Sequence, residues 1–354
     1  MSNSSIKNLT PLSASRIKKL QSCSWSYWCT YKLKLPDKSN EGASRGTICH
    51  LIFELLGDPR HLNLYEQIIL RDSVFLCEPV KRLIYYHARK LSVNDEDNLN
   101  LIDKMIMAGL HFDFFGGRKG KPSKSVSEES FDLSVKENNK YYRVRGFIDK
   151  LFLYKGNSEA IIRDFKSSKS VFKGNELNDN LQDLIYTLAV KKLYPNVEKS
   201  ITQFLFLKFD LQGKGNVVMP TISDAELEGL EIFLSHIQSD IEQFDEVRAE
   251  SNFAASNGYP SDGSFGGLLM CGKDGFKQSR GKDLLDSEGR PVPAYICPFR
   301  KSSEYYVFFG DGDKIIKSCS VEDFEDTVDS LPPDTRNEKR LYAGCPAWNT
   351  DFLD

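Results

Sequence analysis

No apolar run in the sequence is long enough to span a bilayer, so no membrane segment is expected. The first residues, MSNSSIKNLTPLSAS, lack the apolar core of a secretory signal, which leads to the expectation of a cytoplasmic protein. No Gly-rich loop ending in Lys-Ser or Lys-Thr is present, which argues against a built-in helicase motor. Internal repeats and low-complexity tracts are also missing. Charge of one sign is not in excess: 47 basic residues face 50 acidic ones, for a net charge of −3. A simple polycationic coat for nucleic acid is thereby disfavoured.

What is there describes a protein with a real core. Of 354 residues, 40% are hydrophobic and 27% charged, as in ordinary globular chains. The length suits one large domain with insertions or two modest ones. Charge is uneven locally. Residues 1–40 hold Lys7, Arg16, Lys18, Lys19, Lys32, Lys34 and Lys38 against the single acid Asp37, and a second basic cluster runs from Arg118 to Lys124. Acids gather over 223–250. Eight cysteines exceed what packing needs. In a compartment that disfavours disulfides they direct attention to a metal or an iron–sulfur cluster.

The chain changes texture twice. Up to about residue 124 it reads as helical: an amphipathic turn after Ser13, a cluster of Trp25, Tyr27, Trp28 and Tyr31, then a polar loop at 36–45. The helix RGTICHLIFELL follows, with two or three more over 61–112. Residues 125–250 alternate like strands, among them ITQFLFLKF over 201–209, with one helix over 181–193 and another after Ser223, where Glu226 completes a capping box. From 251 to 354 the sequence is rich in Gly, Pro, Ser and Asp, with a hairpin expected around GDGD. Three regions are therefore expected: 1–124, 125–250 and 251–354.

The chemistry concentrates in RGFIDKLFLYKGNSEAIIRDFKSS, Arg145 to Ser168. It reads as two adjoining strands that carry Asp149 and Asp164, with Lys166 on the same face as Asp164 because side chains alternate. Two acids beside an ammonium suit a divalent cation and phosphodiester cleavage; an ordinary charged hairpin is the plainer alternative. On the preceding helix Gly46, His50 and Glu54 are four apart, so His50 and Glu54 share a side. Hard oxygen ligands favour Mg²⁺ or Mn²⁺. Glu128 or Glu129, on the first strand, is a further candidate to reach the site.

Five pieces in this order resemble the PD-(D/E)XK nuclease superfamily, and within it the RecB-like exonuclease branch that includes CRISPR-associated and AddB-type iron–sulfur nucleases. They are LSASRIKKLQSCSWSYW, RGTICHLIFE, RGFIDK, RDFKSS and QDLIY. The resemblance implies an α/β (α+β) fold with a restriction-endonuclease-like core, a mixed central sheet flanked by helices, an N-terminal helical region and a Cys-containing C-terminal segment. It implies His50, Asp149 and Asp164 as metal ligands, with the Phe165 carbonyl as another. It makes Lys166 the catalytic lysine and has Gln182 and Tyr186 organise the site or touch DNA. In that branch one early cysteine joins three late ones to hold a [4Fe–4S] cluster. By this pattern Cys23, Cys271, Cys297 and Cys345 would be the ligands, with Cys319 the alternative fourth. The spacing departs from the pattern, since 25 residues separate Cys271 from Cys297, and a Zn²⁺ site on Cys271, Cys297, Cys319 and Cys345 stays open. Cys49 and Cys77 are expected to be buried and unliganded.

The leading expectation is a metal-dependent DNA exonuclease acting on ends or single strands in replication, recombination or repair, of phage or mobile-element type. Its partners would be DNA and a separate helicase or recombination protein. One rival is a catalytically silent DNA-binding or scaffolding protein on the same fold; another is an enzyme acting on a different phosphate substrate. The basic N-terminal helix and its aromatics are read as partly core and partly a stacking surface for bases.

Overall fold

The computed structural model describes residues 8–36, 40–254, 271–272, 275–276, 278–279, 282–285 and 289–348. Lys7, Asp37, Lys38 and the glycine-rich stretch 258–270 lie outside these. The chain begins with α1 (Ala14–Ser22) and α2 (Ser24–Tyr27), continued by a π-helical turn over Trp28–Lys32. Next come α3 (Glu41–Gly57), α4 (Leu62–Arg71), α5 (Glu78–Lys90) and α6 (Glu96–His111). The strands β1 (Lys124–Glu137), β2 (Lys140–Tyr154) and β3 (Glu159–Lys166) follow, then α7 (Leu181–Leu193), β4 (Lys199–Phe206), β5 (Asn216–Val218) and α8 (Asp224–Glu242). The remainder holds α9 (Glu246–Ala249), the pair β6 (Gln278–Ser279) and β7 (Lys282–Asp283), then β8 (Ser303–Phe309), β9 (Ile315–Ser320), α10 (Phe324–Asp329) and β10 (Asn337–Tyr342).

Contacts group the chain into two units that are not consecutive in sequence. One comprises residues 1–14 and 39–242; the other comprises 15–38 and 243–354. The three consecutive regions read from the sequence do not follow this grouping.

In the first unit the sheet order is β1-β2-β3-β4-β5, antiparallel except for the β3–β4 pair. β1 turns into β2 at Asn138 and Asn139, and Asn138 takes the left-handed conformation (φ 50°) that asparagine tolerates better than most residues. A parallel pair needs a crossover, and α7 supplies it between β3 and β4. The Asn180 side chain caps that helix by accepting from the Gln182 N–H at 3.0 Å. Ile48, Ile52 and Leu56 of α3 are fully buried against Ile102, Met105 and Ile106 of α6 and Phe165, Leu205 and Leu207 from the sheet side. Each such side chain contributes about 1.5–3 kcal/mol of transfer free energy. Across the sheet α8 is fastened to β2, where the Tyr142 hydroxyl donates to Glu231 at 2.7 Å and Lys140 approaches the same carboxylate at 2.7 Å. Among the described residues, no helix is long and apolar enough to cross a membrane.

Two expectations change. The loop expected at 36–45 ends early, because the Asn40 side chain accepts from the Ala43 N–H at 3.0 Å and starts α3 at Glu41. The buried Arg45 then bonds Asn98 of α6, so the first turn of α3 is packed rather than loose. The strand expected over 201–209 stops at Phe206, where the Phe209 N–H turns back to the Phe206 carbonyl at 2.9 Å.

In the second unit two of the N-terminal aromatics belong to the core part of that reading, and Trp28 and Tyr31 are half-buried. Trp25 and Tyr27 are buried, at 5% and 0% exposure. The Trp25 indole donates to the Tyr342 hydroxyl at 2.7 Å, and Tyr27 lies edge-on to Phe244. Neither ring has a free face for a base. Tyr31 is also engaged, with the Arg16 guanidinium 4.4 Å above its ring. The expected hairpin around GDGD forms as β8 and β9, with β10 completing a three-stranded sheet in the order β10-β8-β9.

Candidate functional site

The site lies where β2 and β3 part. Their pairing ends at Lys150 and Arg163, one residue short of Asp149 and Asp164. The Phe165 N–H, freed from that ladder, donates to Asp149 Oδ2 at 2.7 Å and fixes that carboxylate. Along β2 the even residues 142–148 face α7 and α8. Tyr142 bonds Glu231 of α8, and Gly146 backs onto the Phe131 ring, which is edge-on to Tyr186 of α7. The odd residues therefore face the other way, and there Asp149 meets His50 of α3, with Nδ1 3.4 Å from Oδ2.

Gly46, one turn before His50, makes the approach of α3 possible. A Cβ there would stand 2.6 Å from Ser167 Oγ, just past the end of β3. Glu128 completes the group from β1. The register that pairs Ser127 with Lys150 and Glu129 with Ile148 sets Glu128 opposite Asp149. The ladder skips that pair, and Glu128 adopts φ 52°, a strained conformation costing on the order of 1–3 kcal/mol for a residue with a side chain. Ligand atoms of His50, Glu128 and Asp149 lie within 4.8 Å of one another. They open onto a depression of about 550 Å³ that Thr47, Glu54 and Ser167 also line. Glu129, the other candidate, points away and accepts from the Tyr194 hydroxyl at 2.7 Å.

Asp164 sits beside this group on a separate network. Gln182 Nε2 donates to its Oδ1 at 2.7 Å, and the Tyr186 hydroxyl is 3.2 Å from the same oxygen. Lys166 Nζ is 2.7 Å from Oδ2 and donates to Gln182 Oε1 at 2.8 Å. The ammonium is off hydrogen-bond geometry to Oδ2, which leaves that buried oxygen without an aligned donor. Gln182 and Tyr186, one turn apart on α7, are joined at 2.6 Å. Phe165 stacks on Phe53 with centroids 4.2 Å apart, which anchors β3 between Asp164 and Lys166.

Electrostatics mark the cluster as short of positive charge. Burial and the neighbouring Asp149 charge raise Glu128 to about 7 and the buried Asp164 to about 6. Burial would lower His50, but its hydrogen bond to Asp149 and the surrounding acids outweigh this and raise it to about 9. Burial also pushes the Tyr186 hydroxyl well above its ordinary value, so it stays a donor. Crowded acids that hold protons they would shed in water, with a histidine among them, are a donor set that fits a divalent cation.

In the second unit Cys23, Cys271, Cys297 and Cys345 line one cavity together with Trp25, Phe253 and Trp348. The Cys297 N–H bonds the Cys271 carbonyl at 3.0 Å, and the Cys345 N–H bonds the Arg300 carbonyl at 3.3 Å. Gly272, with φ 73°, has the Tyr295 carbonyl where a Cβ would be, so no other residue fits. Cys319 lies on β9, outside this lining, and is buried beside Thr327. Cys49 and Cys77 are fully buried in the helical core of the first unit, as expected. Cys29 is buried within 3.5 Å of the Tyr342 hydroxyl.

A mixed sheet splayed around a histidine, three acids and a lysine is a layout for cation-assisted phosphodiester chemistry. Comparison with protein families matches residues 11–258 to the PD-(D/E)XK nuclease superfamily, and the chain belongs to it. Membership indicates a metal-dependent nuclease with DNA as its substrate. The match ends before Cys271, Cys297 and Cys345. No curated protein matches the chain. Among solved structures, one described as the crystal structure of SSO0001 is similar over 47% of this chain and 73% of its own, at 17% identity and a TM-score of 0.24.

Proposed function

We propose that this protein is a RecB-like DNA exonuclease whose cation is held by His50, Glu128, Asp149 and Asp164. The observation that carries this reading is the convergence of His50, Glu128 and Asp149 within 4.8 Å, next to the Asp164–Lys166–Gln182 network. A bound Mg²⁺ or Mn²⁺ supplies Lewis acidity toward the scissile phosphate and its attacking water. The chain's own residues do the rest. The Phe165 N–H orients Asp149, while Gln182 and Tyr186 hold Asp164 and keep Lys166 in place. Lys166 presents an ammonium to the attacking water or to the oxygen that gains charge, an electrostatic contribution that phosphoryl transfer needs. Participation of the Phe165 carbonyl belongs to the same proposal. Ends or single strands of DNA are the proposed substrate, in recombination or repair alongside a separate helicase or recombination partner.

The second unit is proposed to hold a [4Fe–4S] cluster on Cys23, Cys271, Cys297 and Cys345. Support comes from the shared cavity, which draws on both ends of the chain, and from its apolar lining, a setting that shields such clusters from solvent. Anaerobic purification followed by metal analysis and a visible spectrum tests it: iron and a broad charge-transfer band are expected, and zinc alone would replace the cluster with a zinc site. For the nuclease, purified protein with Mn²⁺ or Mg²⁺ is expected to degrade DNA, and Asp164→Ala and Lys166→Ala to abolish degradation. DNA binding without cleavage under either metal would instead favour the silent scaffold.

A further inference from the structure

Phe147 is the aromatic left open beside the metal site. It lies two positions from Asp149 on β2, about 7 Å along a strand. Even residues 142–148 face α7 and α8, so Phe147 shares the face of Asp149. On that face it is 56% exposed, in contrast with the buried Trp25 and Tyr27. Its cross-strand partner on β1 is the small, exposed Ser130, which leaves the ring uncovered. The next residue on this face is Arg145, which is exposed and has no ion pair among the described residues. Its neighbour Arg143 is different, since Asp132 binds that guanidinium at 2.6 and 2.9 Å. The open face of β2 therefore runs in order from a metal ligand to a bare aromatic ring to an uncommitted cation.

We infer that Phe147 and Arg145 form a binding track for an unpaired nucleotide, so that the nuclease site accepts single-stranded DNA. The inference rests on the nuclease reading of that site and adds to it the strandedness of the substrate. A flat aromatic face recognises a base only when the base is unstacked, which a duplex does not offer and a single strand does. A guanidinium one step further along binds phosphate bidentately, and its charge complements the strand. Phe147 thereby registers the chain by stacking, and Arg145 holds the phosphate on the side away from Asp149.

The test measures binding apart from cleavage. Full-length protein in EDTA is titrated into a single-stranded oligonucleotide carrying 2-aminopurine and into the matching blunt duplex. Phe147→Ala is expected to weaken single-strand binding on the order of tenfold, with loss of the 2-aminopurine quenching, and to leave duplex binding unchanged. Phe147→Trp is expected to restore both affinity and quenching, and a circular dichroism melt shows whether either variant is unfolded. Arg145→Ala is expected to weaken single-strand binding and to reduce its salt dependence by about one counterion. Equal losses on single strand and duplex, or none on either in folded Phe147→Ala protein, would overturn the inference. Cleavage with Mn²⁺ is scored separately: a wild-type protein that cuts nothing but shows the Phe147-dependent quenching refutes the nuclease reading and leaves the track intact.

Discussion

The two units place reactive side chains by opposite means. In the first, every member of the acidic site is presented by a regular element: His50 by α3, Glu128 by β1, Asp149 by β2, Asp164 and Lys166 by β3, Gln182 and Tyr186 by α7. The hydrogen-bond ladder and a core that includes Ile48, Ile52 and Phe165 fix those elements before any ligand arrives. In the second, four cysteines come from the residue before a four-residue helix, from a helical residue at 271 and from irregular segments at 297 and 345. A site on rigid elements keeps its geometry without its ion; a site on loops depends on what it binds.

The largest expected effect tests whether the two sites are separable. Asp164→Ala or Lys166→Ala is expected to lower Mn²⁺-dependent DNA cleavage at least about 10³-fold, while the iron content and visible spectrum of the second unit stay as in the wild type. A spectrum lost together with activity would break the comparison. Conversely, Cys345→Ser is expected to remove most of the bound iron and to make residues 243–354 sensitive to protease. Mn²⁺ binding by the first unit, measured by calorimetry, should remain within about twofold, because no cysteine of the cavity belongs to that unit. Cys319→Ser, outside the cavity lining, is expected to leave the iron content unchanged.

Proton competition sharpens the contrast further. Without an ion His50 keeps its proton to about 9, Glu128 to about 7 and Asp164 to about 6. A cation must displace those protons, so Mn²⁺ affinity is expected to rise by about tenfold or more between pH 6 and pH 9, read by competition with a fluorescent chelator. The cysteine cavity answers differently. Burial pushes the Cys345 thiol up to about 12, so cluster-free protein is expected to react slowly with iodoacetamide at that cysteine across the same range.

The smallest effect concerns stability in the first unit alone. Burial raises Asp183, beside Gln182 on α7, to about 6, and Thr187 and Thr202 compensate only in part. Because the folded-state value is above the ordinary 3.8, folded protein binds the extra proton between about pH 4 and pH 6, and stability falls as pH rises through that window. Asp183→Asn is therefore expected to stabilise the protein at pH 8 by roughly 1–3 kcal/mol, seen as a higher melting temperature. The gain is expected to vanish by pH 4.

Much of the first unit is legible in the amino-acid sequence. The helix over 181–193 and the hairpin carrying Asp149 and Asp164 lie where periodicity puts them, because both are set by contacts close in sequence. Lys166 shares a face with Asp164, as strand alternation requires. The choice between Glu128 and Glu129 is not legible. It depends on the register against β2 and on a left-handed backbone at Glu128, and neither leaves a local pattern. Trp25 and Tyr27 resemble stacking surfaces among basic residues, yet distant partners, Tyr342 and Phe244, bury them. Phe147 carries no local signal of its role: alternation assigns it a face, but only the packing of α3, α7 and α8 decides which face is open.

The sequence by itself determined the chemistry available: hard acids, one well-spaced histidine, a lysine two residues from an aspartate, and more thiols than a core needs. Side-chain type and short-range periodicity are properties of neighbouring residues, and they survive without a fold. Tertiary structure alone decided which of these groups meet. It put Glu128 rather than Glu129 opposite Asp149, and Cys345 rather than Cys319 beside Cys23, across more than three hundred intervening residues. Such meetings depend on sheet register and long-range packing, whose energies are summed over the whole unit and written in no single stretch of chain.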